Sequence, residues 1–219
     1  MIVQVCAEKG GVGKTSVAVN LAAIAANNDI DVLLLDTDST GSATTWGRIR
    51  GEGGIEPNIT ILTLSNNPAA TLADLAPKYD LIVVDVGARS YATMLQIALL
   101  ADLVIVPTTP GQFEAESTLN LFQAFRDVDA RHKSGHVPAY VLLNMVPTNE
   151  RSREEAELRE LLQEEHVPVM RSVIRTRKAW RDCSRTGKGV HELSGRDASV
   201  KGTTEIRAVY EEAEGLVAR

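Results

Sequence analysis

One stretch near the start constrains this chain more than any other. An apolar run over residues 1–7 leads into Lys9, Gly10, Gly11, Val12, Gly13, Lys14, Thr15 and Ser16, and then into a helical pattern through Val17, Ala18, Val19, Asn20 and Leu21. A strand that turns through glycines straight into a helix aims several backbone N–H groups, and the positive end of the helix, at one small volume. That arrangement suits a polyphosphate. Gly10, Gly11 and Gly13 permit the turn. Lys14 has the reach to meet β- and γ-phosphates, and the Thr15 hydroxyl is a hard oxygen ligand for Mg²⁺. The strict form of such a loop has glycine where this chain has Glu8. The competing reading is a glycine-rich turn that binds nothing, and the strand-loop-helix context weighs against it.

Two acid-tipped strands follow. Asp31, Val32, Leu33, Leu34, Leu35 and Asp36 form an unbroken apolar run bounded by acids, the pattern of a buried parallel strand. Asp36 and Asp38 are two apart on an extended segment and point the same way, so both can face one Mg²⁺ and its waters. Helix capping by Asp38 or Ser39 is the alternative. Leu81, Ile82, Val83 and Val84 place a strand in the sheet centre with Asp85 at its tip, where a carboxylate can accept from Mg²⁺-bound waters. Gly87, just beyond, lets a backbone N–H approach a γ-phosphate.

The remaining pattern supplies the frame. Residues 59–64 read as a strand near the sheet edge, and 68–78 as a surface helix with Leu72 and Leu75 inward. A fifth strand is expected over 102–107 and a long helix over 114–131, with Leu119, Phe122, Phe125 and Val128 at core spacing. Residues 137–145 form a further strand, and 150–165 a charged helix with Leu158, Leu161 and Leu162 inward. A seventh strand covers 169–174, and an acidic final helix, 201–219, is built around Ile206, Val209, Tyr210 and Leu216. This alternation predicts an α/β fold, a doubly wound and mainly parallel sheet with helices on both faces, and the 219 residues fit one domain.

The formal net charge of −6 gives no general attraction to nucleic acid, so DNA contact needs a local patch. The one basic cluster lies late in the chain. Thr176 can N-cap a helix there and Gly187 can end it, with Arg177, Arg181 and Arg185 four apart on one face and Arg171, Arg175, Lys178 and Lys188 nearby. Such a stripe suits a phosphate backbone; a solvated face, or pairing with Asp182 and Glu192, is the alternative. Cys6 and Cys183 have no paired spacing and read as free thiols of a cytosolic protein. No signal-like segment or membrane-length apolar run is present in the sequence.

The second lysine narrows the class. Lys9-Gly10-Gly11-Val12-Gly13-Lys14-Thr15 resembles the deviant Walker A motif of the ParA/MinD superfamily of ATPases, in which the early lysine crosses a dimer interface to the partner's ATP. Asp36, Asp38, Gly41, Ser42 and Trp46 match the family's Walker A′ motif, with Ser39 and Thr40 standing where it has Pro-Gln. Asp85 takes the Walker B position. The resemblance implies that residues Gly10, Gly11, Val12, Gly13, Lys14, Thr15 and Ser16 cradle ATP, with Lys9 and Lys14 on its phosphates. It implies Mg²⁺ at Thr15, Asp36 and Asp85, and a water positioned by Asp38. Asn144 matches an adenine-contacting asparagine, although turn formation explains it nearly as well. ParA-type ATPases bind nucleoid DNA nonspecifically through C-terminal basic residues, here Arg175, Arg177, Lys178, Arg181 and Arg185.

The nearest form is the short, ParF-like partition ATPase, whose first strand opens the chain. It implies a cytoplasmic, nucleoid-associated protein that forms an ATP-dependent homodimer and segregates plasmid or chromosomal DNA with a ParB/ParG-like centromere-binding partner, without a membrane. The rivals are a MinD-like positioning ATPase and a dethiobiotin synthetase-like biosynthetic enzyme of the same fold. Glu205, Glu211, Glu212 and Glu214 on the last helix oppose binding to anionic lipid.

Overall fold

A computed structural model describes residues 1–64, 68–88, 90–149 and 153–218. Seven strands, β1 (Ile2–Val5), β2 (Val32–Asp36), β3 (Thr60–Thr63), β4 (Leu81–Asp85), β5 (Leu103–Thr108), β6 (Ala139–Val146) and β7 (Val169–Arg175), form one sheet in the order β3-β2-β4-β1-β5-β6-β7. Every pairing is parallel. The helices are α1 (Lys14–Asn27), α2 (Ser42–Glu52), α3 (Pro68–Leu75), α4 (Tyr91–Ala98), α5 (Gln112–Val128), α6 (Glu154–Glu164), α7 (Lys178–Thr186) and α8 (Val200–Val217).

The apolar runs have their physical reason in this layering. Alternate residues of each central strand enter opposite cores: Leu34, Val83 and Ile105 pack with α1, α2, α7 and α8, while Leu35, Val84 and Val106 pack with α3 to α6. A strand covered on both faces has no solvent side, so its pattern is continuous rather than alternating. The exposed ends of β3 fit its place at one edge. At the other edge, the N–H groups of Arg171 and Ser172 in β7 donate to Glu212 of α8, which blunts that edge against foreign pairing.

Two details differ from the sequence reading. Helix α4, with Met94, Ile97 and Ala98 buried, was not anticipated, because eight residues give too short a periodic signal. Leu161 keeps 37% exposure, so α6 turns only Leu158 and Leu162 fully inward. Residues 150–152 of that expected helix and residue 219 of the last lie outside the described residues. Among the described residues no helix is long and apolar enough to cross a membrane.

The strand order reverses direction around β1. The segment after β1 goes outward to β2, β4 returns between them, and β5 starts the other wing. The crevice beyond the carboxyl ends of strands at such a reversal is where open α/β sheets hold ligands.

Candidate nucleotide site

The loop of residues 6–13 opens into that crevice. Gly11 and Gly13 have φ of 80° and 90°, the left-handed region where a side chain is strained. Gly13 is doubly constrained, because a Cβ there would lie 2.2 Å from Asn144 Nδ2. Asn144, at 3% exposure on β6, donates that amide to the Val12 carbonyl at 2.7 Å and pins the loop from behind. Gly10 and Gly11 instead face open space, where a Cβ on either would meet nothing within 4 Å. The loop wraps its own lysine: Lys14 Nζ donates to the Lys9 carbonyl at 2.8 Å. Burial pulls the Lys14 ammonium below its ordinary pKa, opposed by the charges of Asp85 and Asp38.

Asp36 and Asp85 end neighbouring strands in register, and Asp38 follows two residues on. Asp85 is 1% exposed and its Oδ2 has no hydrogen-bond partner. Burial raises its pKa from 3.8 to about 7; Asp36 and Asp38 push the same way, and the Thr15 hydroxyl and Lys14 oppose them. A buried carboxyl with one unpartnered oxygen, beside a hydroxyl and further carboxylates, is an all-oxygen set that fits Mg²⁺. No group of three or more His, Cys, Asp or Glu among the described residues is arranged to hold a metal alone.

Asp36 and Asp38 have different settings. Asp36 accepts from the Thr44 N–H and hydroxyl, both at 2.8 Å, and from the Asp38 N–H at 3.1 Å. Its carboxylate therefore ties the first turn of α2, whose N-cap Gly41 supplies no side chain. Capping was anticipated as the rival role for Asp38 or Ser39, and it falls to Asp36 instead. Among the described residues Asp38 Oδ1 accepts only the local Thr40 N–H at 2.9 Å, and its carboxyl rests on Gly87, where a Cβ would sit 2.9 Å from Asp38 Cγ. The residue read as a γ-phosphate sensor is thus held against the residue read as a water-positioning acid.

Beside the loop, Ser16, Val17, Asn144, Met145, Ile174, Thr176, Arg177, Trp180 and Arg181 line a pocket of about 170 Å³. It is mostly apolar with a few polar groups, the mix that suits a flat heterocycle. Met145 gave no signal in the sequence, being one apolar residue at a strand end.

The basic cluster departs most from expectation. Thr176 does not cap α7; its hydroxyl donates to the Met145 carbonyl at 2.8 Å. Arg177 is the N-cap and lies outside the helix, so Arg177, Arg181 and Arg185 are not one stripe. The Arg177 Nε donates to Glu205 at 3.1 Å, with both side chains mostly buried. Arg175 donates to Glu155 and to the Pro147 carbonyl. Lys178 and Arg185 both engage Asp182, though their side chains stay 70% and 78% exposed. Arg181 is exposed. Acids distant in sequence, on α6 and α8, caused this difference. Gly187 does end α7, with φ 67°.

Sequence reasoning missed Arg50 entirely. It is 2% exposed, its guanidinium is bidentate on Glu192 and donates to the Pro57 and Gly187 carbonyls, and it stacks 5.4 Å from the Trp46 ring. This cluster joins α2, which follows Asp38, to the end of α7, which lines the pocket. The only signal was Trp46 four residues before Arg50 on one helix.

Residues 3–190 match the model of the CobQ/CobB/MinD/ParA nucleotide binding domain. The chain is 32% identical over 216 residues to Maintenance of carboxysome distribution protein A of Gloeobacter kilaueensis, covering 96% of this chain and 93% of the relative. It is 28% identical over 168 residues to the chromosome-partitioning ATPase Soj of Thermus thermophilus, covering 64% and 66%. Among solved structures, the septum site-determining protein MinD of Pyrococcus horikoshii, complexed with Mg-ADP, superposes with a TM-score of 0.74 at 18% identity, covering 99% of this chain and 96% of that one. The last likeness is one of fold.

Proposed function

Because the chain belongs to the CobQ/CobB/MinD/ParA nucleotide-binding family, we propose that it is a ParA-type ATPase, a switch that dimerises around Mg-ATP and releases on hydrolysis. The observation that carries this reading is the crevice beyond β1, β2 and β4. There a buried ammonium, Lys14, and a buried carboxyl with one unpartnered oxygen, Asp85, lie in one another's field without forming a salt bridge among the described residues. Gly10, Gly11, Val12, Gly13 and Ser16 hold the phosphates through the loop and helix terminus, and Lys14 meets the β- and γ-oxygens. Thr15 and Asp85 hold Mg²⁺, with Asp36 in the surrounding shell through its hold on α2; the ion supplies charge neutralisation at the phosphoryl group. Asp38 orients the attacking water, and Lys9 reaches the partner's nucleotide. Asn144 fixes the loop and borders the base.

The cargo reading is partition of DNA with a ParB/ParG-like partner on a nonspecifically bound nucleoid. Arg181 and Arg185 are the exposed cations for it, with Lys178 beside them; Arg177 and Arg175 serve the fold. A second reading has specific support, the identity to a carboxysome distribution protein, and makes the cargo a protein compartment. A MinD-like membrane role is disfavoured because α8 buries Ile206, Val209, Tyr210 and Ala213 in the core, leaving no apolar face for lipid.

Asp38→Ala is the test. The variant should keep ATP and Mg²⁺, lose about a hundredfold or more in single-turnover hydrolysis, and accumulate as the ATP dimer. Two arginines per subunit give that dimer roughly four phosphate contacts, so its affinity for random duplex should fall about a hundredfold between about 50 and 200 mM salt. Unchanged hydrolysis refutes the role of Asp38, and no DNA binding by the trapped dimer moves the cargo to protein.

A further inference from the structure

Lys9 is exposed on the loop, and its ammonium lies over the face of Phe113, 5.7 Å from the ring centroid. Phe113 is the second residue of α5 and is 71% exposed, an unusual setting for a large aromatic side chain. The sequence reading placed Phe122 and Phe125 in the core, where they pack edge to face, and gave Phe113 no part. Core packing does not account for it. Among the described residues no carboxylate ion-pairs with Lys9. The nearest acid in sequence, Glu8, is turned away and accepts from the Ser117 hydroxyl at 3.0 Å, one helical turn further along α5.

We propose that Phe113 is a positioning residue for Lys9, a ring platform that holds the ammonium extended in the single subunit and is covered by the second copy of the chain when the dimer closes. This rests on the trans role of Lys9 proposed above. The physical argument is about charge. A lysine that is to deliver its full positive charge to another subunit's phosphates needs a rest position that orders its flexible stem. A carboxylate would order it but neutralise it, and would have to be broken away on closure. A ring face attracts the cation through its quadrupole, leaves the charge intact and releases it readily. The same ring offers apolar area for a partner surface, and its exposure is confined to the rim beside the phosphate loop.

The two contributions are separable by substitution. Phe113→Leu keeps apolar bulk and removes the quadrupole, whereas Phe113→Trp keeps both. Phe113→Leu should lower ATP-dependent dimerisation, followed by light scattering, and dimer turnover by about two- to fivefold, as expected for an exposed cation–π contact. Phe113→Trp should equal or exceed the native chain. Monomer affinity for ADP should not move in either, because the ring lies outside the loop's own phosphate cradle. In a Lys9→Ala background, Phe113→Leu should have no further effect. Native behaviour of Phe113→Leu, equal impairment of the Leu and Trp variants, or the same loss with and without Lys9, each overturns the platform. If Lys9→Ala itself dimerises and hydrolyses as the native chain does, the trans role fails first, and the two failures are told apart by that single variant.

Discussion

The two wings of the crevice treat charge in opposite ways. On the β1–β2–β4 side, Lys14 and Asp85 are buried and form no salt bridge among the described residues, Lys14 holding only the Lys9 carbonyl and Asp85 keeping one oxygen without a partner, with the Lys14 pKa lowered and that of Asp85 raised by burial. On the β6–β7–α7 side nearly every cation is matched: Arg177 with Glu205, Arg175 with Glu155, Lys178 with Asp182 and, at its border, Arg50 with Glu192. Unpaired buried charge costs free energy in the free protein, and an oppositely charged ligand offsets that cost when it binds. Paired charge is already satisfied and holds the fold. On the proposed function, the contrast separates candidate ligand-binding residues from fold-holding ones better than residue type does, since both wings are rich in Lys, Arg, Asp and Glu.

The largest expected effect breaks the first wing. Lys14→Met should lower nucleotide affinity by about a hundredfold or more while leaving the nucleotide-free protein at least as stable, because it removes a buried cation whose one hydrogen bond is to a loop carbonyl and which no carboxylate neutralises among the described residues. Calorimetric titration with ADP and a urea melt measure the two. A large loss of stability with affinity retained would place Lys14 among the structural charges.

Next comes pH. Asp85 binds its proton more tightly folded, near 7, than its ordinary value of 3.8. Between those values the folded state holds more protons than the unfolded state, so stability must fall as pH rises. From about pH 5 to 7 the loss from this group alone is about 2 kcal/mol, and Mg-nucleotide should reverse it by favouring the carboxylate. Asp85→Asn should flatten the trend in Tm. A slope unaltered by that substitution would assign the dependence to another group.

The smallest effect sharpens the second wing. Arg177→Met should cost about 1–2 kcal/mol of stability, leaving Glu205 mostly buried without its partner, and should not change the salt slope of DNA binding. Arg181→Met should stay within about 0.5 kcal/mol and reduce that slope. The reverse pattern would restore the stripe as read from sequence.

What the sequence determined by itself was whatever depends on local order. Residues 9–16 between a strand and a helix, and acids at the ends of β2 and β4, announced the crevice, because strand tips and helix starts are set by near neighbours and a fixed repeat. Covering both faces of the central strands required only that their runs be unbroken. Tertiary structure decided what each charge is for. Glu205, Glu155 and Glu192 lie 28, 20 and 142 residues from the arginines they meet, and no spacing rule reaches that far. The packing of α8 and α6 against β7, and of α2 against the end of α7, brings them together. Phe113 and Lys9 likewise meet only because the starts of α5 and of the loop share one end of the sheet. Local pattern fixes where a side chain projects, and the free energy of what it meets there belongs to the packed whole.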